Sequence, residues 1–155
     1  MKSGPSPRAL VLFFPIVLVL YLVFFYGIER ARQRKGPWVV DFGTNAAGLP
    51  MLTISQESMT LSNYVIVLHG ENPTNGPGRV VFDKVLRPVP FGRVIYEDLT
   101  FLPGVITFDL YGHEVELVPR RLVADRREFF WRSSATTDLW PTNKPPTPPH
   151  PPKYR

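Results

Sequence analysis

The sequence contains no cysteine, and this absence removes several kinds of chemistry at once. Without cysteine the chain has no disulfide bond, no thiolate ligand for a metal ion and no cysteine nucleophile. The absence is compatible with either side of a membrane, so it does not decide the compartment.

The sequence also lacks the short motifs that accompany the common catalytic sites. It has no G-x-S-x-G nucleophile elbow, no glycine-rich phosphate loop and no H-E-x-x-H zinc motif. No internal repeat is visible. We therefore expect no catalytic residue set, no bound metal and no cofactor, and we predict that the protein is not an enzyme.

The part of the chain that is expected to fold has no excess of positively charged residues. The formal net charge of the whole chain is +5, but residues 36–140 carry nine Lys and Arg against twelve Asp and Glu. The basic excess lies instead in residues 1–8, 29–35 and 141–155. Because nucleic-acid-binding proteins carry their excess Lys and Arg on the folded surface, we expect no nucleic-acid partner.

The most distinctive segment is residues 9–28, which reads ALVLFFPIVLVLYLVFFYGI and contains no charged residue. The hydrocarbon core of a bilayer is about 30 Å thick and is crossed by about 20 apolar residues of helix. Within lipid a helix satisfies its own backbone hydrogen bonds, which an irregular segment cannot do. We predict a single transmembrane helix here, with the lipid bilayer as a partner of the chain.

Two other interpretations of this segment were weighed. A buried helix of a soluble core seldom runs this long without a polar break, and seldom ends in a basic cluster such as RARQRK. A cleaved signal peptide has a shorter apolar region of about 7–15 residues and small residues before the cut. The residue two positions before Ala31 is Glu29, which does not fit such a site, so an uncleaved signal anchor is favoured.

The residues that flank the predicted helix suit lipid headgroups, because aromatic and basic side chains concentrate at membrane surfaces. The predicted headgroup contacts are Tyr26, Arg30, Arg32, Arg34 and Lys35. Positive charge is nearly balanced across the helix, but export of an N-terminal tail with Lys2, Arg8 and the amino terminus is unfavourable. We therefore favour an extracytoplasmic position for the following domain over a cytoplasmic one.

Residues 36–135 are predicted to form one all-β domain. Short apolar runs alternate with turns rich in Gly, Pro, Asn and Asp, and no segment offers a clear crossover helix. The predicted strands are residues 38–42, 51–55, 64–69, 80–85, 93–96, 105–110, 113–118, 121–124 and 128–132. This spacing of short strands predicts an antiparallel β-sandwich or a jelly-roll-like domain.

Residues 104–119, GVITFDLYGHEVELVP, give the clearest local prediction. With residues 111–112 as a two-residue turn, alternate residues of two strands face each other on one buried side. Tyrosine is unusual at the first position of such a turn, so a longer turn with a bulge at Gly112 is the alternative. The predicted cross-strand pairs are Phe108 with Val115, Ile106 with Leu117 and Asp109 with Glu114.

Residues 120–133, RRLVADRREFFWRS, allow two interpretations. They form either two strands around Asp125 and Arg126, or a short helix that begins after Pro119. We favour the strands, because the preceding segment is predicted to be β.

The C-terminal segment, residues 136–155, is predicted to be a proline-rich disordered tail. Residues 141–155 contain seven prolines, and this composition favours an extended or disordered chain over a packed core. Residues 151–154, PPKY, match the form of a WW-domain ligand, although a plain spacer explains the same prolines. The basic tail also suits contact with an anionic surface.

Carboxylates and aromatic side chains of the β-domain form the candidate ligand face. The carboxylates suit Ca²⁺ or acid–base chemistry, although a solvated face neutralised by Arg120 and Arg121 explains them equally. The aromatic rings suit a sugar, although core packing explains them as well. His69 and His113 lack the spacing of metal ligands. The candidate residues are Asp109, Glu114, Glu116, Trp38 and Trp131.

Three functions remain open for a β-domain held at a membrane. We predict first a non-enzymatic binding or assembly module that engages a protein partner at the membrane surface. The alternative is a domain that binds a carbohydrate or an envelope polymer. The second alternative is a hydrolase that uses Asp109, Glu114 or Glu116.

Overall fold

The structure, a computed structural model, describes residues 7–33, 35–85 and 87–146. These residues form two compact units that divide after Arg34. The first unit holds a single apolar helix and the second holds strands in two sheets. The predicted all-β chain with one N-terminal helix is confirmed at this level.

Helix α1, Pro7–Gln33, contains 27 residues. Its window Val11–Ala31 is 21 residues long and is apolar enough to cross a membrane. At about 1.5 Å per residue the window is about 32 Å long, close to the thickness of a bilayer's hydrocarbon core. None of the window is buried. The helix predicted at residues 9–28 is confirmed, and it continues through Arg30 to Gln33.

Ten strands are found in the described part of the second unit. The first five are β1 (Trp38–Thr44), β2 (Pro50–Gln56), β3 (Leu61–Leu68), β4 (Gly78–Phe82) and β5 (Arg93–Asp98). The other five are β6 (Val105–Leu110), β7 (His113–Val118), β8 (Arg121–Ala124), β9 (Arg127–Phe129) and β10 (Thr136–Leu139). Nine of them overlap the nine strands predicted from the sequence.

Sheet A has the strand order β10-β3-β2-β1-β4. Its neighbours are antiparallel except β10, which runs parallel to β3. Alternate residues of β1 and β2 are buried, as expected when one face of a sheet covers a core. The side chain of Gln56 fixes the start of the domain, since its Nε2 donates to the carbonyls of Lys35 and Gly36.

Sheet B is an antiparallel meander with the strand order β5-β6-β7-β8-β9. Residues 111–112 and 125–126 form two of its two-residue turns, and all four residues have positive φ, as a type I′ turn requires. Tyr111 is accommodated because its ring stacks on Phe91 at 5.9 Å and its hydroxyl accepts a hydrogen bond from the Thr74 amide. The predicted register of β6 and β7 is confirmed.

Residues 120–133 contain β8 and β9, so the strand interpretation is confirmed and the helical alternative is wrong. Strand β9 is shorter than predicted. It ends at Phe129, and two residues later the indole Nε1 of Trp131 donates to the carbonyl of Val118 at 2.8 Å. That hydrogen bond draws the chain away from the edge of the sheet.

One hydrophobic core is shared by the two sheets. Phe42 and Phe82 of sheet A both contact Phe108 of sheet B edge-to-face, with ring centroids 6.2 and 5.5 Å apart. Aromatic pairs at these distances contribute about 0.5–1.5 kcal/mol each beyond the area they bury. The strand pattern therefore produces one continuous core rather than two faces covered separately.

Strand β10 corrects the boundary predicted at residue 135. Residues 136–139 pair with β3, the hydroxyl of Thr137 is 2.6 Å from that of Tyr64, and Leu139 is buried. The described residues beyond it include a 3₁₀ turn, Pro141–Asn143. Residues 147–155, which include most of the prolines and the PPKY match, lie outside the described residues.

Phe108→Ala tests the shared core. It removes a fully buried ring, and we expect the free energy of unfolding to fall by about 3–5 kcal/mol. Phe130→Ala is the matched control, because the Phe130 ring is 80% exposed and its loss is expected to change stability by less than about 0.5 kcal/mol. Urea unfolding of the full chain in detergent micelles measures both, since all three tryptophans lie in the β-domain. Equal effects would contradict the core assignment.

Candidate functional site

The three carboxylates of the candidate ligand face lie on the outer side of sheet B. Asp109 is opposite Glu114 across the β6–β7 pair, and Glu116 is two residues further along β7. Alternate residues of a strand point to the same face, so the three side chains share it. Their role in binding a ligand stays a prediction.

The Asp109 carboxylate is already held by three donors. Arg93 donates from Nη2 and Nε to Oδ2 at 2.9 and 3.0 Å, and the amide of Gly112 donates to Oδ1 at 3.0 Å. The neutralising arginine is therefore Arg93, while Arg121 pairs with Glu128. Within the described residues, no group of three or more His, Cys, Asp or Glu side chains could hold a metal ion.

Trp38, predicted to be part of the candidate ligand face, lies in the core. Its side chain is fully buried, its Nε1 donates to the carbonyl of Gly104 at 3.1 Å, and its ring lies 5.2 Å from that of Trp131. A tryptophan at the start of a strand can point inward or outward, and this one points inward. Only the tertiary packing decides the direction.

Trp131 is half-buried and closes the same end of the core. It packs edge-to-face on Tyr64 at 5.1 Å, and its indole N–H is taken by the Val118 carbonyl. The tryptophan with the most exposed ring is instead Trp140, which stacks on His69 at 3.9 Å. The aromatic half of the candidate face is therefore mainly core packing.

The two histidines weighed as metal ligands have different aspartate partners. Nε2 of His69 is 2.8 Å from the Asp138 carboxylate at the surface, whereas Nδ1 of His113 is 2.6 Å from the Asp125 carboxylate in the core. The His113–Asp125 pair was missed by the sequence reading. Its partners are twelve residues apart, and the antiparallel pairing of β7 with β8 brings them together.

The His113–Asp125 pair fixes the β8–β9 turn from inside. Asp125 Oδ1 also accepts the amide of Glu114 at 3.0 Å, and the Asp125 amide donates to the Glu114 carbonyl. Nε2 of His113 has no hydrogen-bond partner among the described residues, and the whole side chain is buried. A buried pair of this kind holds the turn in place, but it is not positioned to meet a substrate.

An open cleft of about 530 Å³ lies along the edge strand β5, and the sequence reading did not find it. A register shift between Val94 and Tyr96 marks a bulge in the strand, and Ile95 and Tyr96 are exposed on the lining. We name this surface the edge cleft. It is lined by Arg87, Pro88, Val89 and residues 92–97.

Gly92 allows the chain to enter β5 beside β6. Its φ is +75°, and a Cβ at this position would lie 2.5 Å from the carbonyl oxygen of Asp109. A second cleft along β4 shares Arg87 and Pro88 with the edge cleft. The sequence signal is the run RPVPFGR directly before VIY, which marks a proline-rich connection beside a strand.

The edge cleft carries little unmatched positive charge. Arg87 pairs with Asp83 at 3.0 Å and Arg93 with Asp109 at 2.9 Å. At the far end of β5, hydrogen bonds from the backbone and hydroxyl of Thr100 hold the pKa of Asp98 below its ordinary value. This contribution to stability is present at neutral pH and is lost as the pH falls through the lowered pKa.

The residues predicted to contact headgroups fall in both units. Tyr26 and Arg30 are exposed on α1, and Arg32 also belongs to the helix. Lys35 is exposed at the start of the second unit, and Arg34 lies outside the described residues. Their contact with lipid stays a prediction.

No protein-family model matches the chain, and no curated protein or solved structure matches it. The function therefore has to be inferred from the residues and their geometry.

Asp125→Ala tests the role of the buried pair. It leaves His113 without its partner in the core, and we expect the free energy of unfolding to fall by about 3–5 kcal/mol. Asp138→Ala is the matched control, because it breaks a similar hydrogen bond to His69 where the aspartate side chain is 52% exposed rather than 1%. Its cost is expected to stay within about 1 kcal/mol. Urea unfolding measures the stability of both variants. Similar losses of unfolding free energy in the two variants would refute a structural role for the His113–Asp125 pair.

Proposed function

We propose that the chain is a single-pass membrane protein whose β-domain is a non-enzymatic binding or assembly module at the membrane surface. The anchor is supported by the exposed apolar window Val11–Ala31. A helix that is apolar on all sides needs an apolar surrounding, and no part of this window is buried in protein. The lipid bilayer supplies that surrounding.

The favoured orientation places the β-domain outside the cytoplasm. It is supported by the cost of exporting Lys2, Arg8 and the amino terminus. Because the chain has no cysteine, a single Ala47→Cys variant can be labelled with a membrane-impermeant maleimide. We expect labelling in intact cells or spheroplasts. Labelling only after permeabilisation would reverse the orientation.

We propose a β-sandwich for the domain. The proposal is supported by the ring contacts of Phe42 and Phe82 with Phe108, which join the inner faces of the two sheets. The consecutive order of β5 to β9 is a meander, which favours a sandwich over a jelly roll.

The binding site that the geometry supports best is the edge cleft. Strand β5 is the longest of the edge strands, and an edge strand offers backbone N–H and C=O groups to an added strand. Exposed Ile95 and Tyr96 beside the cleft offer apolar contact to the side chains of such a strand. The single observation that carries the proposal is this combination of an open edge, an apolar lining and an adjacent cleft.

The charges at the cleft favour an apolar partner segment over an acidic one. Both arginines on its lining are engaged by aspartates of the same chain, so an acidic segment would have to displace them. We propose an extended, mainly apolar segment of a partner protein. The carbohydrate alternative is weakened by the burial of Trp38, and the hydrolase alternative by the engagement of Asp109.

Photo-cross-linking in cells tests the edge cleft. A benzoyl-phenylalanine at Tyr96 is expected to give one discrete cross-linked protein, whereas the same probe at Trp140, a similarly exposed aromatic, is not. Adding Ile95→Asp to the Tyr96 probe is expected to lower the yield at least about tenfold, because it buries a charge against an apolar segment. Equal cross-linking at both positions, or a yield that ignores Ile95→Asp, would refute the site.

A further inference from the structure

The first residues of the β-domain lie at one of its two ends. Lys35 is held there by Gln56, and Trp38 at the start of β1 lies opposite Phe82 at the end of β4. We name it the proximal end. The opposite end, which carries the 45–48 turn between β1 and β2, is the distal end.

The loops of sheet B at the proximal end are identified by their contacts with Trp38. Its indole N–H donates to the Gly104 carbonyl, which places the β5–β6 connection there. Its ring packs on Trp131, which places the chain after β9 there, and Trp131 donates to Val118 beside the β7–β8 turn. Loops from both sheets therefore meet at this end.

Large apolar side chains are exposed at the tips of these proximal loops. Val85 after β4 is 62% exposed, Phe101 between β5 and β6 is 61% exposed, and Phe130 after β9 is 80% exposed. At the distal end the exposed large apolar side chain is Trp140, whose ring is already stacked on His69. Three separate loops therefore expose apolar tips at one end of the domain, and we take these tips as candidates for a contact outside the fold.

Exposed basic side chains lie at the same end of the domain. Acidic side chains at the same end include Glu57, Asp83 and Asp98. Asp98 is engaged by Thr100, and Asp83 is paired with Arg87 at 3.0 Å. Arg121 is paired with Glu128. The exposed basic residues of the proximal loops are Lys35, Lys84, Arg120 and Arg132. Aromatic tips within a basic surface are the composition that binds anionic lipid surfaces.

Covalent connection limits how far this end can be from the bilayer. Only Arg34 separates the last residue of α1, Gln33, from Lys35, so their Cα atoms are at most about 7.6 Å apart. If α1 spans the membrane, as proposed above, the proximal end is held at the headgroup layer at high effective concentration. A weak affinity for lipid then suffices to fix the domain against the surface.

We propose that the proximal end is a membrane-contact surface. Phe101 and Phe130 enter the boundary between headgroups and acyl chains, and Arg120 and Arg132 contact lipid phosphates. The domain then stands on the bilayer with its distal end outward, instead of moving freely on its tether. This proposal rests on the proposed anchor, but it is independent of the partner at the edge cleft.

Site-specific fluorescence on the full chain in vesicles tests the proposal, and the lack of native cysteine makes the labelling clean. The variants Phe101→Cys and Phe130→Cys carry an NBD fluorophore at the proximal end. Ala47→Cys carries it on the exposed distal turn, and Leu20→Cys carries it within α1. The vesicles contain phosphatidylcholine and phosphatidylglycerol, with doxyl quenchers placed either near the headgroup or deep in the acyl region.

The expected result is quenching at residues 101 and 130 by the shallow quencher, none at residue 47, and quenching at residue 20 by the deep one. If residue 20 is quenched but residues 101 and 130 are no more quenched than residue 47, the contact surface is overturned and the anchor remains supported. No quenching at residue 20 would overturn the anchor itself, and the contact surface with it.

A charge-matched pair of double variants tests the basic residues. Arg120→Gln with Arg132→Gln is expected to lower quenching at residue 130 at least twofold in vesicles that contain phosphatidylglycerol. Arg126→Gln with Arg127→Gln removes the same charge from the exposed β8–β9 turn and is expected to leave quenching unchanged. Equal effects of the two pairs would show a response to net charge alone and would overturn the assigned phosphate contacts.

Discussion

The organisation of the chain depends on the solvation of one apolar helix. From Val11 to Ile28 the side chains of α1 are apolar almost without interruption, and none of the helix window is buried. Burial of apolar surface contributes about 25 cal/mol per Å², so a helix of this length is strongly driven into lipid. The proposed membrane position of the domain rests on this term, because the second unit begins directly after the helix.

Inside the β-domain, the Trp38–Trp131 contact links the start of the fold to its last turns. Trp38 lies at the beginning of β1, and its two contacts reach the β5–β6 connection and the segment after β9. Gln56 adds a second constraint by holding the carbonyls of Lys35 and Gly36. The first residues of the second unit are therefore tied to both sheets.

The sequence predicted the elements whose signal is local, and it failed where tertiary contacts decide. The alternation in β6 and β7 predicted both strands and their register, because both strands bury one face, although it left a longer turn with a bulge at Gly112 as an alternative. Strand β10 was not predicted because its sequence, TTDL, is short and has no strong strand pattern of its own. These residues form a strand through their parallel pairing with β3. The direction of Trp38, the His113–Asp125 pair and the edge cleft all depend on distant segments that meet. The ligand role of Asp109, Glu114 and Glu116 stays a prediction, although their shared face follows from the register.

The account as a whole depends on membrane insertion of α1. The most direct test is extraction of membranes from cells that express the full chain with alkaline carbonate, followed by ultracentrifugation. The account predicts that the uncleaved chain, identified by its N-terminal residues, remains in the membrane pellet and is released only by detergent. Recovery of the intact chain in the carbonate supernatant would contradict the anchor and everything inferred from it.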